Sequence, residues 1–378
     1  MVQTIVRLGT ALPFEQVPEL LAFLTGVHVS LETVRRLTEQ AGAAQVALEE
    51  RALAHLEREA PAVPVGPAQQ QVSADGAMVP LLGGEWAEVR TVALGTLTTE
   101  EEHDAAHAQN ITYFSRLCSA REFIRQAALP LHERGIETAE TVVAVMDGAD
   151  WLQEFITAHC PDAIRVLDFP HAVEHLARAA QAAFGAGTRE ASVWLDEWAP
   201  KLKTGEPEDV LVAIRRLPMH DEDAVTVQTQ VLGYLTKRRD QIAYAQFQRA
   251  GYPIGSGMVE SANKLVVEAR LKGSGMHWAR RNVTPMLALR GIACSRQWDQ
   301  AWPKIWRELR HQAEDQRRQR RAARRAAAHP EDREITPETA PPPGEQPSKK
   351  VVDGRPTPDH PWQPGYDPYR LAQARAKS

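Results

Sequence analysis

"QVSADGAMVPL" (71–81) and "TVVAVMDGADW" (141–151) are the stretches on which the fold turns. The first is a Val-containing run of strand length. It is followed, past Gly83-Gly84, by a second such run, "WAEVRTVALGTL" (86–97). Two such runs around a Gly-Gly pair predict an antiparallel hairpin. "NITYFSRL" (110–117) reads as a third strand, and "SAREFIRQAALPLHERG" (119–135) as an amphipathic helix closed by Gly135. The 141–151 stretch is a short apolar strand that runs into Asp147-Gly148, with a helix expected over about 150–159. "AIRVLDF" (163–169) predicts another strand and "HAVEHLARAAQAAFG" (171–185) another helix. A hairpin followed by strand–helix–strand–helix predicts a mixed α/β sheet whose later strands pair in parallel.

Ahead of this sheet, "FEQVPELLAFLTG" (14–26) spaces Phe14, Val17, Leu20, Leu21 and Leu24 on one helical face, and Gly26 stops the helix. Ser30 then caps "LETVRRLTEQAG" (31–42), with Arg35, Arg36 and Gln40 on the second helix. The pattern is that of a helix-turn-helix, and equally that of a plain helical hairpin. A Pro-containing linker, "APAVPVGPAQQQ" (60–71), ends this region. Residues 188–250 read as an all-helical insertion, with Trp194 and Trp198 and the long run "AVTVQTQVLGYLTKRRDQIAYAQFQRA" (224–250). "GYPIGSGMVESANK" (251–264) returns the chain to a helix through about 271, and two more helices are expected around 284–297 and 301–312. The organisation is therefore 1–60, 61–187, 188–250, 251–310, and a basic then Pro-rich disordered tail over 311–378, whose first part could be helical. Residues 330–378 hold 11 of the 26 prolines and few aliphatics, a composition that predicts disorder.

With 378 residues, 43% hydrophobic and 25% charged, the chain has the composition of a soluble globular protein large enough for a sizeable core. There is no apolar run of 18 residues, so no membrane span is expected. Three scattered cysteines argue against a disulfide framework and against a Cys-rich zinc site, and the expected compartment is the cytoplasm. The net charge of −5 hides an asymmetry: residues 251–325 carry sixteen Lys/Arg against six Asp/Glu. A polyanion meets that local field, whatever the total.

Three carboxylates stand at chemically telling places. Asp75 lies inside the first strand, Asp147 ends the first parallel strand, and Glu260 opens a helix after a Gly-rich turn. A carboxylate in an apolar strand is costly unless something compensates it. A divalent cation is one such partner, because Mg²⁺ takes oxygen ligands. Two ions about 4 Å apart clamp the attacking and leaving oxygens of a phosphoryl transfer. Asp75-Gly76 and Asp147-Gly148 are equally ordinary turn dipeptides.

Four ordered motifs are more specific than any one acid. "VSADGAMVPLLGGEWAEVRTVALG" (72–95), "VMDGADWL" (145–152), "VLDFPHAVEHL" (166–176) and "YPIGSGMVESANKLVVEARLKGSGMHW" (252–278) together resemble the ISKra-type insertion-sequence transposases of the mutator-like DDE superfamily. The resemblance runs from about residue 14 to about 306. It implies a ribonuclease-H-like mixed sheet with helices on both faces, an N-terminal helix-turn-helix, and metal-dependent DNA cutting and joining. It carries over Asp75, Asp147 and Glu260 as the catalytic, metal-binding triad, with Mg²⁺ or Mn²⁺, two ions, as cofactor. It matches Asp168 and His171 to the superfamily's Asp/Cys-x-x-His signature, which orients DNA or the metal site. It implies double-stranded DNA as partner, a homodimer holding two transposon ends, and a nucleoid-associated location. Family members generally carry more chain ahead of the helix-turn-helix, so a shortened end-recognition region is expected.

Around the third motif, Lys264, Arg270, Lys272, Arg280 and Arg281 join Arg35 and Arg36 as candidate phosphate contacts. Gly255-Ser256-Gly257 is no Walker loop; it reads as a phosphate cradle or as a helix cap. Trp278 reads as core or as a base-stacking platform. His171 and His175 form an i, i+4 pair on a helix face. Three functions stay open at this level: a transposase, a catalytically inactive DNA-binding remnant or repressor, and a related nuclease without strand transfer.

Overall fold

The computed structural model describes residues 1–98, 107–328, 351–352 and 355–356. The chain begins with a helix that the sequence reading did not include, α1 (Val2–Ala11), which buries Ile5 and Val6. Helix α2 (Gln16–Thr25) ends at Gly26, whose φ of 71° is the left-handed cap expected there. Helix α3 begins where Ser30 Oγ accepts from the Thr33 N–H. It does not stop near residue 42 but runs over Leu31–Glu59. No proline interrupts it before Pro61, and its buried face (Val34, Thr38, Ala41, Gln45) continues past the expected end.

Next come β1 (Gln69–Pro80), β2 (Trp86–Thr98) and β3 (His107–Arg116), joined antiparallel. The β1–β2 hairpin closes at the Pro80–Trp86 pair, around the two glycines expected to turn it. Helix α4 (Ala120–Glu133) leads to β4 (Thr141–Met146), α5 (Asp150–His159) to β5 (Ile164–Leu167), and α6 (Phe169–Phe184) follows. The five strands form one mixed sheet in the order β3-β2-β1-β4-β5, with β1–β4 and β4–β5 parallel. The expected α/β class and strand types are those observed.

The period of two along each strand divides the core between the two faces. Val72, Ala74, Ala144 and Met146 point to one side, against Phe123 and Ala127 of α4 and Leu152, Phe155 and Ile156 of α5. Val143, Val145 and Val166 point to the other, against Ala172, Leu176 and Ala179 of α6. Farther along that second face, Ala77, Val79 and Leu81 meet Val266, Val267 and Leu271. Helices thus cover both faces.

Residues 188–250 are helical, as expected: α7 (Arg189–Thr204), α8 (Pro207–Arg215), α9 (Glu222–Lys237) and α10 (Tyr244–Arg249). The run expected to be one long helix breaks after α9, at Arg238, into a 3₁₀ turn. Leu202, Leu211, Ile214, Val231 and Leu235 join the core of α6, so this insertion has no separate hydrophobic centre. The chain returns through α11 (Gly257–Ala262), a π-helical stretch (Asn263–Glu268) and α12 (Ala269–Leu271). Helix α13 (Arg280–Cys294) and α14 (Trp298–Ala328) complete the helices among the described residues, and α14 continues past the end expected near 312 into the stretch read as a disordered tail, whose Ala- and Arg-rich sequence favours helix.

Residues Met1–Arg317 form one compact unit. The second unit, Arg318–Ser378, contains the last turns of α14 and one short antiparallel pair, β6 (Val351–Val352) with β7 (Arg355–Pro356). These four strand residues depart from the disorder expected over 330–378; the rest of that stretch lies outside the described residues.

Candidate functional site

Asp75 and Asp147 meet through strand register. The parallel ladder pairs Val72 with Ala144, an offset of 72 residues, and the same offset separates Asp75 from Asp147 just past the end of β4. Both lie on the face of Val143 and Val145, opposite Val72 and Ala74, because Asp147 is an even number of positions past Val143 and Asp75 an even number past Gln71, the ladder partner of Val143. Asp75 Oδ1 accepts from the Gly76 N–H at 2.6 Å. Asp147 Oδ1 accepts from the Ala149 N–H at 2.8 Å. Burial pushes the Asp75 carboxyl above the usual range, and the charge of Asp147 adds to that; the Gly76 and Asn263 hydrogen bonds oppose it.

Asp168 sits at the N-cap of α6, only 1% exposed. One oxygen accepts from the His171 N–H at 3.1 Å, and the other from the Ser256 N–H at 2.6 Å. Burial alone would raise this carboxyl; the hydrogen bonds from His171 and Ser256 outweigh it and hold Asp168 below the usual carboxylate range. The His171 ring lies between two acids, with Nδ1 3.8 Å from Asp168 Oδ2 and Nε2 3.9 Å from Asp147 Oδ2. Its bond to Asp168 and the charge of Asp147 raise the His171 pKa above the ordinary value, despite burial. The "DFPH" match therefore lands beside Asp147 in space.

Glu260 is on α11, exposed, and Ser256 Oγ donates to its Oε1 at 3.2 Å. One turn later Asn263, only 6% exposed, donates from Nδ2 to Asp75 Oδ2 at 2.8 Å. Thus the fold makes neighbours of Asp75 and Asp147, sets Asp168 and His171 against them, and ties the helix of Glu260 to Asp75 through Asn263. It does not gather Glu260 with the two aspartates: among the described residues no three His, Cys, Asp or Glu side chains are grouped to hold a metal ion. The Asp75–Asp147 pair nevertheless fits a hard divalent cation. Its donors are all oxygens, and a cation there would offset both the burial and the mutual repulsion that raise Asp75.

The candidate phosphate contacts divide by burial. Arg35, Arg36, Lys264, Arg280 and Arg281 are exposed, with Arg35 3.6 Å from Glu32. Lys272 is half-buried and paired with Glu268 at 2.7 Å. Arg270 is a correction. It is 2% exposed, donates Nε and Nη2 to the Gly9 carbonyl at 3.2 Å each, and packs over the Phe14 and Trp278 rings. A guanidinium buried this way anchors α1 to α12 and cannot reach a phosphate. Trp278 is likewise core, 7% exposed and edge-on to Phe14. His175 does not pair with His171 on a ligand; its ring stacks on Tyr234 at 3.8 Å.

Asn263, Tyr234 and Arg238 escaped the sequence reading, and Ser256 was read as part of a cradle or cap but not as a partner of Asp168. For Asn263 a signal existed, since it stands three residues after Glu260 on a helix and so shares its face. For Tyr234 and Arg238 there was none, because their partner Gly148 is some ninety residues away. No protein-family model matches the chain, and no curated protein matches it at a significant level.

Proposed function

We propose that this chain is a DDE-type DNA transposase of the ISKra type, with a ribonuclease-H-like catalytic sheet. The observation that carries the reading is the Asp75–Asp147 pair, whose 72-residue separation equals the offset of the β1–β4 ladder and whose carboxylates are near enough to repel. The strand order β3-β2-β1-β4-β5, with an antiparallel meander followed by two parallel strands, supports the fold assignment.

Asp75 and Asp147 would hold Mg²⁺ or Mn²⁺, with Glu260 reaching the site from α11. Bound there, the metal supplies Lewis-acid stabilisation and an activated water for phosphodiester hydrolysis. The chain's own groups do the rest. Asp168 fixes the start of α6, and His171, set between Asp168 and Asp147, would orient the Asp147 carboxylate. Exposed Arg35, Arg36, Lys264, Arg280 and Arg281 attract the DNA backbone. Hydrolysis at a transposon end frees a 3′-hydroxyl, which attacks a target phosphodiester in a transesterification. Two ends must be held together, so the working form is a homodimer on double-stranded DNA. Among the described residues no helix is long and apolar enough to cross a membrane.

The test is Mg²⁺- or Mn²⁺-dependent cutting and joining of DNA carrying the element's terminal repeats, with wild type, Asp75→Asn and Asp147→Asn. Activity confined to the wild type is expected. Cutting that survives both substitutions overturns the site. Cutting without joining selects a nuclease, and binding without cutting selects an inactive remnant.

A further inference from the structure

Two side chains of the helical insertion enclose the residue that follows Asp147. Gly148 is buried; its carbonyl accepts from Arg238 Nη2, and the Tyr234 hydroxyl lies against its backbone. Tyr234 lies on α9, and Arg238 just past its end. A Cβ at position 148 would overlap the Tyr234 hydroxyl and stand 2.5 Å from Arg238 Nε, so only glycine fits the approach.

The two side chains are themselves locked. The Arg238 guanidinium lies 3.9 Å from the Tyr234 ring centre, and His175 of α6 stacks on the same ring at 3.8 Å. Two groups that close cannot share one face, so Tyr234 is sandwiched. Arg238 is 5% exposed and also donates to the Tyr234 carbonyl at 3.3 Å. The column is not the cheapest packing. Arg238 Nε and His175 Nδ1 are buried with no hydrogen-bond partner, each a cost that an aliphatic side chain would avoid. Costly local arrangements of this kind concentrate where function requires them.

We propose that Tyr234 and Arg238 are positioning residues for Asp147. The insertion reaches into the site, fixes the peptide after the carboxylate, and so sets the direction in which Asp147 leaves β4. This inference rests on the reading of Asp147 as a catalytic carboxylate. The insertion thereby becomes part of the site's supporting shell.

The test compares wild type with Tyr234→Phe, which removes one hydroxyl and keeps the stack, and Arg238→Lys, which keeps the charge and loses the fork. Cleavage is followed as kcat and KM for DNA, and hydrogen–deuterium exchange is followed in the peptide spanning 147–152. The expected result is a kcat loss of about tenfold with KM nearly unchanged, the size typical of outer-shell partners, together with faster exchange in 147–152. Wild-type kcat and wild-type exchange in Tyr234→Phe overturn the inference alone. A wild-type chain that never cuts, yet whose 147–152 exchange rises in Tyr234→Phe, overturns the catalytic reading of Asp147 and reduces the column to a brace.

Discussion

Asn263 donates from Nδ2 to Asp75 Oδ2 at 2.8 Å, and this bond joins the helix of Glu260 to the central strand of the sheet. The π-helical stretch begins at Asn263 itself, where the widened turn feeds a buried amide into the site. Asn263 Oδ1 is buried without a partner.

That spare oxygen makes Asp75→Asn a well-tolerated change. Turning the Asn263 amide over presents Oδ1 to the new amide at position 75. The folded chain keeps the Asp75 proton to a higher pH than the unfolded chain does, because burial disfavours the charge. Ionisation therefore costs stability as pH rises through the folded pKa. Asp75→Asn is expected to match or exceed the wild-type Tm at pH 7 while DNA cutting falls to background. A lowered Tm by calorimetry would count against this account of Asp75.

Asp168 combines a helix cap with a cross-link to Ser256. Asp168→Ala removes both acceptors from buried N–H groups. It is expected to cost about 2–4 kcal/mol in chemical denaturation, from a lost cap plus a lost buried hydrogen bond. Asp168→Asn retains one good acceptor and costs less.

The basic residues separate into structure and recognition. Arg270→Ala is expected to lower stability by about 2 kcal/mol or more through a cavity beneath Phe14 and Trp278 and an unpaired Gly9 carbonyl. Arg280→Ala and Arg281→Ala are expected to leave Tm unchanged. Each phosphate contact they remove lowers the slope of log affinity against log salt by about one in DNA-binding titrations. A normal salt slope in the double variant would remove this pair from the DNA surface.

His175 gives an acid-sensitivity test. Burial first, then the charges of Arg178, His171 and Arg238, lower its pKa from 6.5 to about 4. The unfolded chain then binds the proton that the folded chain refuses, so stability falls as pH drops through the window from 6.5 to about 4. His175→Phe keeps an aromatic partner for Tyr234 and removes the proton. Its Tm is expected to decline less than that of wild type between pH 6.5 and 4.5, as read by thermal melts (about a few degrees' difference).

Much of the architecture was legible in the chain. Gly26, Ser30 and Gly83-Gly84 act through local backbone chemistry, and the turns and caps they predict are present. Strand types followed from Val-rich runs bounded by turn residues. Longer-range effects were not legible. The break after α9, where Arg238 meets Gly148, and the burial of Arg270 each depend on a partner distant in sequence. Arg270 illustrates the difficulty: a guanidinium beside Lys272 in a basic stretch carries no local mark of a π-stacked, carbonyl-bound interior.

The sequence alone determined the class of most elements between residues 14 and 312, and it singled out Asp75, Asp147, Asp168, His171 and Glu260, because propensity, capping and spacing act within a few residues. It also contained the 72-residue interval between Asp75 and Asp147, but not its meaning. Only the tertiary structure decided that this interval is the register of a parallel strand pair. It also decided that Asn263 and Ser256 tie α11 to the two halves of the site, and that Tyr234 and Arg238 enclose Gly148. The physical reason is that strand pairing and side-chain burial are agreements between distant segments, made when both lose water against the same core.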